Sequence, residues 1–119
     1  MADVFLAEAL DEKKESCIYH RYLDTNKYNT ERHWWVLCEA LEGLGNAFEL
    51  THDEKYRKPI VPFWNYISEH IIDTKIGEWH WCVDENKEPL QQQPKLSNWK
   101  APYHNSRALM RLIEKMDKW

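Results

Sequence analysis

A long apolar stripe within residues 31–50 constrains the fold more than any other feature of this chain. Its members recur every three or four residues: Trp34, Leu37/Cys38, Leu41, Leu44/Gly45 and Phe48. This spacing places side chains on one face of an α-helix. We therefore predict a helix over about residues 31–50 that buries the stripe, with Asn29 or Thr30 as its candidate N-cap.

Helical periodicity marks three further segments: about residues 2–13, a segment that starts near residue 58 and includes Ile71/Ile72, and about residues 105–115. Pro59 and Pro62 look like helix breakers. Proline is nevertheless tolerated in a first helical turn, where backbone N–H groups have no partner within the helix. Asn105 or Ser106 is the candidate N-cap of the last helix.

A short extended segment precedes the last helix. Trp79, Trp81 and Val83 alternate with other residues, as in a strand, and a polar run after them indicates a turn. No repeat, low-complexity tract or linker divides the chain. We therefore predict an all-α fold of about four helices, with a short β-like hairpin before the last one, in a single domain covering residues 1–119.

Composition argues against several classes of function. The formal net charge is -4, whereas nucleic-acid binding requires clustered Lys and Arg. No run of about 18 apolar residues could span a membrane, and the amino terminus lacks the basic flank of a signal peptide. Three widely spaced cysteines are typical of reduced thiols in the cytoplasm. The His and Cys spacings indicate no metal site, and no cofactor motif is present.

Aromatic residues are unusually numerous, with seven Trp and six Tyr. Such residues line carbohydrate sites, lie at interfaces or fill cores. Trp35 and Glu39 are four residues apart and therefore share a helix face outside the apolar stripe. This pair is either a ligand site or a boundary Trp beside a solvated Glu.

The segment 99–107 places His104 among aromatic and cationic side chains. We expect His104 just ahead of the last helix, where free N–H groups and Arg107 would favour a neutral imidazole and anionic ligand oxygens. Such an imidazole can accept a proton, and its conjugate acid can return it. The alternative is a histidine that only caps or hydrogen-bonds a loop. Four other histidines lie on polar stretches and are expected at the surface: His20, His33, His52 and His70.

Three blocks of sequence resemble the carboxy-terminal part of the N-acylglucosamine 2-epimerase superfamily, and within it the cellobiose 2-epimerase branch. They are Trp-Trp-Val-Leu-Cys-Glu-Ala at 34–40, the segment 71–81 that ends in Gly-Glu-Trp-His-Trp, and Trp-Lys-Ala-Pro-Tyr-His-Asn-Ser-Arg at 99–107. The last block is the most specific. The chain departs from the family at His80, where Phe is usual, at Leu37-Cys38, which replace Gln-Ala, and at the two prolines.

The resemblance implies that the chain is about the last third of an (α/α)6 barrel. It also implies a metal-independent isomerase that inverts carbon 2 of the reducing-end aldose of a β-1,4-linked disaccharide. In that family a histidine takes the C2 proton, and a second histidine protonates the enediol-type intermediate on its other face.

Carried over by position, His104 would be one acid/base histidine. Trp99 would stack on the sugar, Trp35 would form another aromatic wall, and Glu39 would hydrogen-bond hydroxyl groups. Arg107 completes the expected substrate-binding set. The resemblance places the second histidine in sequence that this chain lacks.

The expected function is therefore that of the C-terminal segment of a sugar 2-epimerase, inactive until joined to a missing N-terminal barrel segment. Its substrate would be a disaccharide or a monosaccharide. Apolar surface that the missing helices would cover favours self-association. The alternatives are a non-catalytic, Trp-rich carbohydrate-binding or self-associating helical module, and an inactive gene remnant.

Overall fold

The computed structural model describes all 119 residues, and its central element is helix α2, Trp34–Thr51. The predicted apolar stripe is confirmed, because Trp34, Leu37, Leu41 and Leu44 are all buried. The expected cap is wrong: the N-cap is His33, and no side chain caps the helix. The strand pairing described below continues to residue 33, and the Trp34 N–H donates to the carbonyl oxygen of Trp81 at 3.1 Å.

Helix α1, Ala2–Glu8, is shorter than the predicted 2–13. The chain after it turns back, with an antiparallel bridge between Leu10 and Cys17. The Asp11 carboxylate stabilises this turn by accepting from the Glu15 N–H at 3.0 Å and from the Ser16 hydroxyl. Asp side chains of this kind compete with the helix for backbone donors, and the helix accordingly ends early.

The third predicted helix, expected to start near residue 58, is α4, Ile60–Tyr66, which continues as a π-helical turn over Ile67–Ile71; a separate short helix, α3, Glu54–Arg57, precedes it. Pro59 is the N-cap of α4. Pro62 lies in the first turn of α4, where a missing N–H costs no helical hydrogen bond. The prolines therefore fix where α4 begins.

Two small antiparallel pairs accompany the helices. Strand β1, His20–Tyr22, pairs with β2, Lys27–Asn29, and β3, Arg32–His33, pairs with β4, Cys82–Val83. The predicted local hairpin also forms, since Val83 bridges Pro89 and the Leu90 N–H donates to the Cys82 oxygen at 3.2 Å. Strand β4 thus pairs with the returning strand of its own hairpin and also with β3, which leads into α2.

Helix α5, Tyr103–Met116, packs on α2 and buries Ala108 and Leu112. The core lies between α2, the α4 segment and α5. The fold is therefore the predicted all-α one. No helix has the length and apolar character needed to cross a membrane.

All three cysteines are free and buried. Burial raises the pKa of the Cys17 thiol and the pKa of the Cys38 thiol to about 12. Burial, followed by the nearby Glu31 carboxylate, raises the pKa of the Cys82 thiol to about 11. None of these thiols is therefore poised to act as a nucleophile at neutral pH.

Candidate functional site

His104 lies within the first turn of α5 rather than ahead of the helix as predicted. The helix begins at Tyr103 with Pro102 as its N-cap, and the Ser106 N–H donates to the Pro102 oxygen at 3.0 Å. Pro102 has φ −72°, a value already suited to a helix start. Neither Asn105 nor Ser106 is therefore the N-cap.

A carboxylate from α2 holds the His104 ring. Nδ1 of His104 lies 2.6 Å from Oε1 of Glu39. An ionised carboxylate only accepts hydrogen bonds, so Nδ1 carries the proton and the Nε2 of a neutral ring keeps its lone pair. The His104 side chain is 19% exposed, so it is neither sealed in the core nor fully solvated.

Three aromatic rings surround the imidazole. Tyr103 lies at a centroid distance of 4.1 Å, Trp34 meets the ring edge-on at 5.2 Å, and Trp35 lies at 6.0 Å. Trp35 and Glu39 both contact His104, which confirms that they share a face of α2. Trp34 is buried and contacts the imidazole from the side of the core, whereas Trp35 and Tyr103 are partly exposed.

Arg107 is paired with carboxylates and is not a free cation. Its Nη2 donates to Glu39, and its Nε donates to Oε2 of Glu42 at 3.2 Å. Glu42 is buried and also binds Arg111. Glu39, and after it Glu42, raises the pKa of the Arg107 guanidinium. Arg107 therefore fixes Glu39, while 40% of its own side chain stays exposed.

Trp99 is 81% exposed and makes no ring contact with His104. The structure therefore brings together His104, Trp35, Glu39 and Arg107, and shows no ring or side-chain hydrogen-bond contact between Trp99 and this group. A polar cavity of about 390 Å³ in the same molecule is lined by other residues, among them Asp11 and Arg32. It has the wrong lining for a sugar-stacking site.

Sequence reasoning missed Lys100, the buried neighbour of Trp99. Its Nζ donates to Oε1 of Glu78 at 3.1 Å and to the carbonyl oxygens of Trp79 and Lys95, each at 2.8 Å. The ammonium lies 4.9 Å from the centroid of the Trp34 ring. Desolvation lowers the pKa of Lys100. The only available signal was its position inside the specific 99–107 block.

Two of the four histidines expected at the surface are not fully exposed. His33 is buried, stacks on Tyr19 at 3.7 Å and lies 2.7 Å from Glu31, because β3 continues directly into α2. His70 is half-buried against Tyr66, and burial lowers its pKa. His20 and His52 are exposed as predicted.

Comparison with known proteins identifies relatives over almost the whole chain. The family model of N-acylglucosamine 2-epimerase matches residues 1–108. The cellobiose 2-epimerase of Dictyoglomus turgidum is 37% identical over 86 residues, which cover 71% of this chain and 22% of the relative. That of Ruminococcus albus is 37% identical over 91 residues, covering 76% of this chain and 23% of the relative.

The structural comparison agrees with the sequence comparison. The solved structure of cellobiose 2-epimerase from Spirochaeta thermophila superposes with a TM-score of 0.90 at 32% identity, covering 98% of this chain and 29% of that one. The structural relatives are (α/α)6 barrels. The chain spans less than a quarter of the length of the two curated relatives above.

Proposed function

Because this chain belongs to the N-acylglucosamine 2-epimerase family, we propose that it supplies the C-terminal part of a sugar 2-epimerase. The proposed substrate is the reducing-end aldose of a disaccharide, as the names of the relatives suggest. One observation carries the proposal: the 2.6 Å contact between His104 Nδ1 and Glu39. It orients the ring and leaves Nε2 available for proton transfer.

In the proposed reaction the open-chain aldose presents its C2–H bond to Nε2 of His104. The proton moves to Nε2, the C–H electrons form a C1–C2 double bond, and the electrons of the C1=O π bond move to the C1 oxygen, which becomes an enediolate oxygen. This gives a planar enediol-type intermediate. Glu39 stabilises the imidazolium that forms, and Arg107 holds Glu39 in place.

Inversion requires that a proton return to C2 on the opposite face. One imidazole cannot serve both faces unless the sugar turns over. We therefore propose that a second acid/base group comes from a barrel segment outside this chain. The partial exposure of Trp35, Glu39 and Arg107 supports this arrangement, because these three side chains lie on an open face that another segment would cover.

The substrate-binding roles follow from the same geometry. Trp35 offers an exposed indole beside the imidazole, and such a surface suits the apolar face of a sugar ring. Trp99, whose indole is exposed, would complete the binding surface. Glu39 already accepts from His104 and Arg107, so any hydroxyl group would use its remaining lone pairs. The exposed part of Arg107 stays available to ligand oxygens.

The test is reconstitution. The chain is mixed or co-expressed with the N-terminal remainder of the Dictyoglomus turgidum enzyme, and cellobiose is incubated with the mixture in D2O. We expect deuterium at C2 and a C2 epimer in the mixture, and neither product with this chain alone. His104→Ala should abolish both products, whereas His20→Ala, at an exposed histidine, should not.

Turnover by the isolated chain, or by the His104→Ala mixture, would contradict the proposal. A non-catalytic carbohydrate-binding module is the alternative. It would show saturable quenching of tryptophan fluorescence by cellobiose that Trp35→Ala removes, without any C2 exchange in the mixture.

A further inference from the structure

Three potential metal ligands meet where β3 pairs with β4, away from the His104 ring. His33 is directly opposite Cys82 in the antiparallel register, and opposed residues project from the same face of a strand pair. Glu31 precedes His33 by two residues, so it shares that face. One donor atom from each side chain lies within 4.8 Å of the other two.

The His33 and Glu31 side chains hold each other in place before any ion arrives, and the Cys82 side chain is buried. The His33 ring stacks on Tyr19 at 3.7 Å with an interplanar angle of 16°, and its Nε2 lies 2.7 Å from Oε2 of Glu31. Cys82 is 1% exposed and His33 is 8% exposed. The Glu31 side chain is 35% exposed, which gives an ion a route from solvent.

We propose that Glu31, His33 and Cys82 form a Zn²⁺ site, with water in the fourth position. Carboxylate oxygen, imidazole nitrogen and thiolate sulfur are the donors that Zn²⁺ takes in proteins. Metal–ligand bonds of about 2.0–2.3 Å around a tetrahedral ion separate the donors by roughly 3.3–3.8 Å. The trio reaches that geometry by small side-chain shifts that open the His33–Glu31 hydrogen bond.

The charges at the site balance, and its position would let the ion link two strands. The thiolate and the carboxylate together balance the two positive charges of Zn²⁺, so a neutral cluster replaces the buried thiol. The ion would join β3 to β4 immediately before α2, the helix that carries Trp35 and Glu39. This inference does not depend on the proposed epimerase reaction.

Cobalt substitution tests the site. Metal-free wild-type chain is titrated with Co²⁺, which adopts zinc-like sites and absorbs in the near ultraviolet when a thiolate binds. We expect a thiolate-to-cobalt band that Zn²⁺ abolishes by competition. Even second-shell changes cost 10- to 100-fold in metal affinity, so Cys82→Ser should weaken Co²⁺ binding by about 100-fold or more and remove the band. Cys38→Ala, which removes a buried thiol outside the cluster, should keep the cobalt band.

His33→Gln provides a second ligand variant, and circular dichroism verifies that each variant is folded. If Cys82→Ser does not fold, X-ray absorption on the zinc-loaded wild-type chain should show one sulfur among nitrogen and oxygen ligands. A wild-type chain without the band, a band that survives Cys82→Ser, or a zinc shell without sulfur would each overturn the proposal.

Discussion

At the scale of single residues, the two histidines that lie within hydrogen-bond distance of a carboxylate meet it through different nitrogens. His33 uses Nε2 against Glu31 and is buried, whereas His104 uses Nδ1 against Glu39 and is partly open to solvent. A neutral imidazole has one acceptor nitrogen, and its partner decides which one that is. Only at His104 does this arrangement leave Nε2 available to a substrate.

Glu39→Gln tests this arrangement in the reconstituted enzyme. An amide keeps the shape but can donate to Nδ1, which would place the ring proton on Nε2. We expect kcat to fall roughly 10²-fold, a part of what general acid–base catalysis supplies, with little change in KM. The pH dependence of kcat should change with it.

The matched control is Glu49→Gln, which removes a carboxylate of the same helix that binds only Lys115. Its kinetics should equal those of the unsubstituted mixture. An unchanged kcat in Glu39→Gln would show that the carboxylate does not set the tautomer.

At the scale of elements, Lys100 fixes the loop that leads into α5. Its ammonium is fully buried and satisfies one carboxylate and two carbonyl oxygens. These acceptors belong to the consecutive residues Glu78 and Trp79 and to Lys95, so a single side chain joins two parts of the irregular segment to the residues just before α5. The position of His104 at the start of α5 depends on this anchor.

Lys100→Met keeps the length and removes the charge, leaving these acceptors without a donor. The free energy of unfolding should fall by about 2–4 kcal/mol, the range for orphaned buried acceptors and a broken buried pair. Urea denaturation measures the change. Lys118→Met, at an exposed position near the carboxyl terminus, should unfold at the wild-type midpoint, and an equal midpoint for Lys100→Met would contradict the anchoring role.

These elements also show what local sequence can predict. Helix α2 follows from a stripe whose members are neighbours in sequence, and Trp35 and Glu39 share a face for the same reason. The end of α1 at Glu8 and the start of α2 at Trp34 depend on a turn and a strand pair that local patterns miss. The pairings of Glu39 with Arg107, and of His33 with Cys82, arise only when distant segments pack together.

At the scale of the whole molecule, two partly buried histidines make stability depend on pH. Burial lowers the pKa of His70 and the pKa of His80 from the ordinary value of 6.5. The folded state therefore binds protons less readily than the unfolded state. This contribution to stability is fully present above about pH 6.5 and is lost as pH falls through the lowered values.

The melting temperature should therefore be nearly constant from pH 8 to about 7 and decline below about pH 6.5. A double variant, His70→Gln with His80→Phe, should flatten the decline between roughly pH 6.5 and 5. His20→Gln, at an exposed histidine, should leave it unchanged. An undiminished decline in the double variant would assign the acid sensitivity to other groups.

The exposed apolar side of α5 is the candidate contact surface for the rest of a barrel. Met110, Ile113 and Met116 are 60%, 62% and 52% exposed, and they recur at three-residue intervals along the helix. Burying one such side chain contributes about 1.5–3 kcal/mol. Under the proposed function, this surface contacts the N-terminal segment.

Ile113→Glu should therefore weaken binding of the N-terminal remainder by at least about 10-fold, since each 1.4 kcal/mol corresponds to a factor of ten. Glu114→Gln, on the same helix, should bind with unchanged affinity. Sedimentation velocity over a range of concentrations measures both the mixed assembly and any self-association of the chain alone. The same apolar surface is expected to drive the mixed assembly and the self-association, so Ile113→Glu should weaken both. Unaltered assembly of this variant would place the contact elsewhere on the molecule.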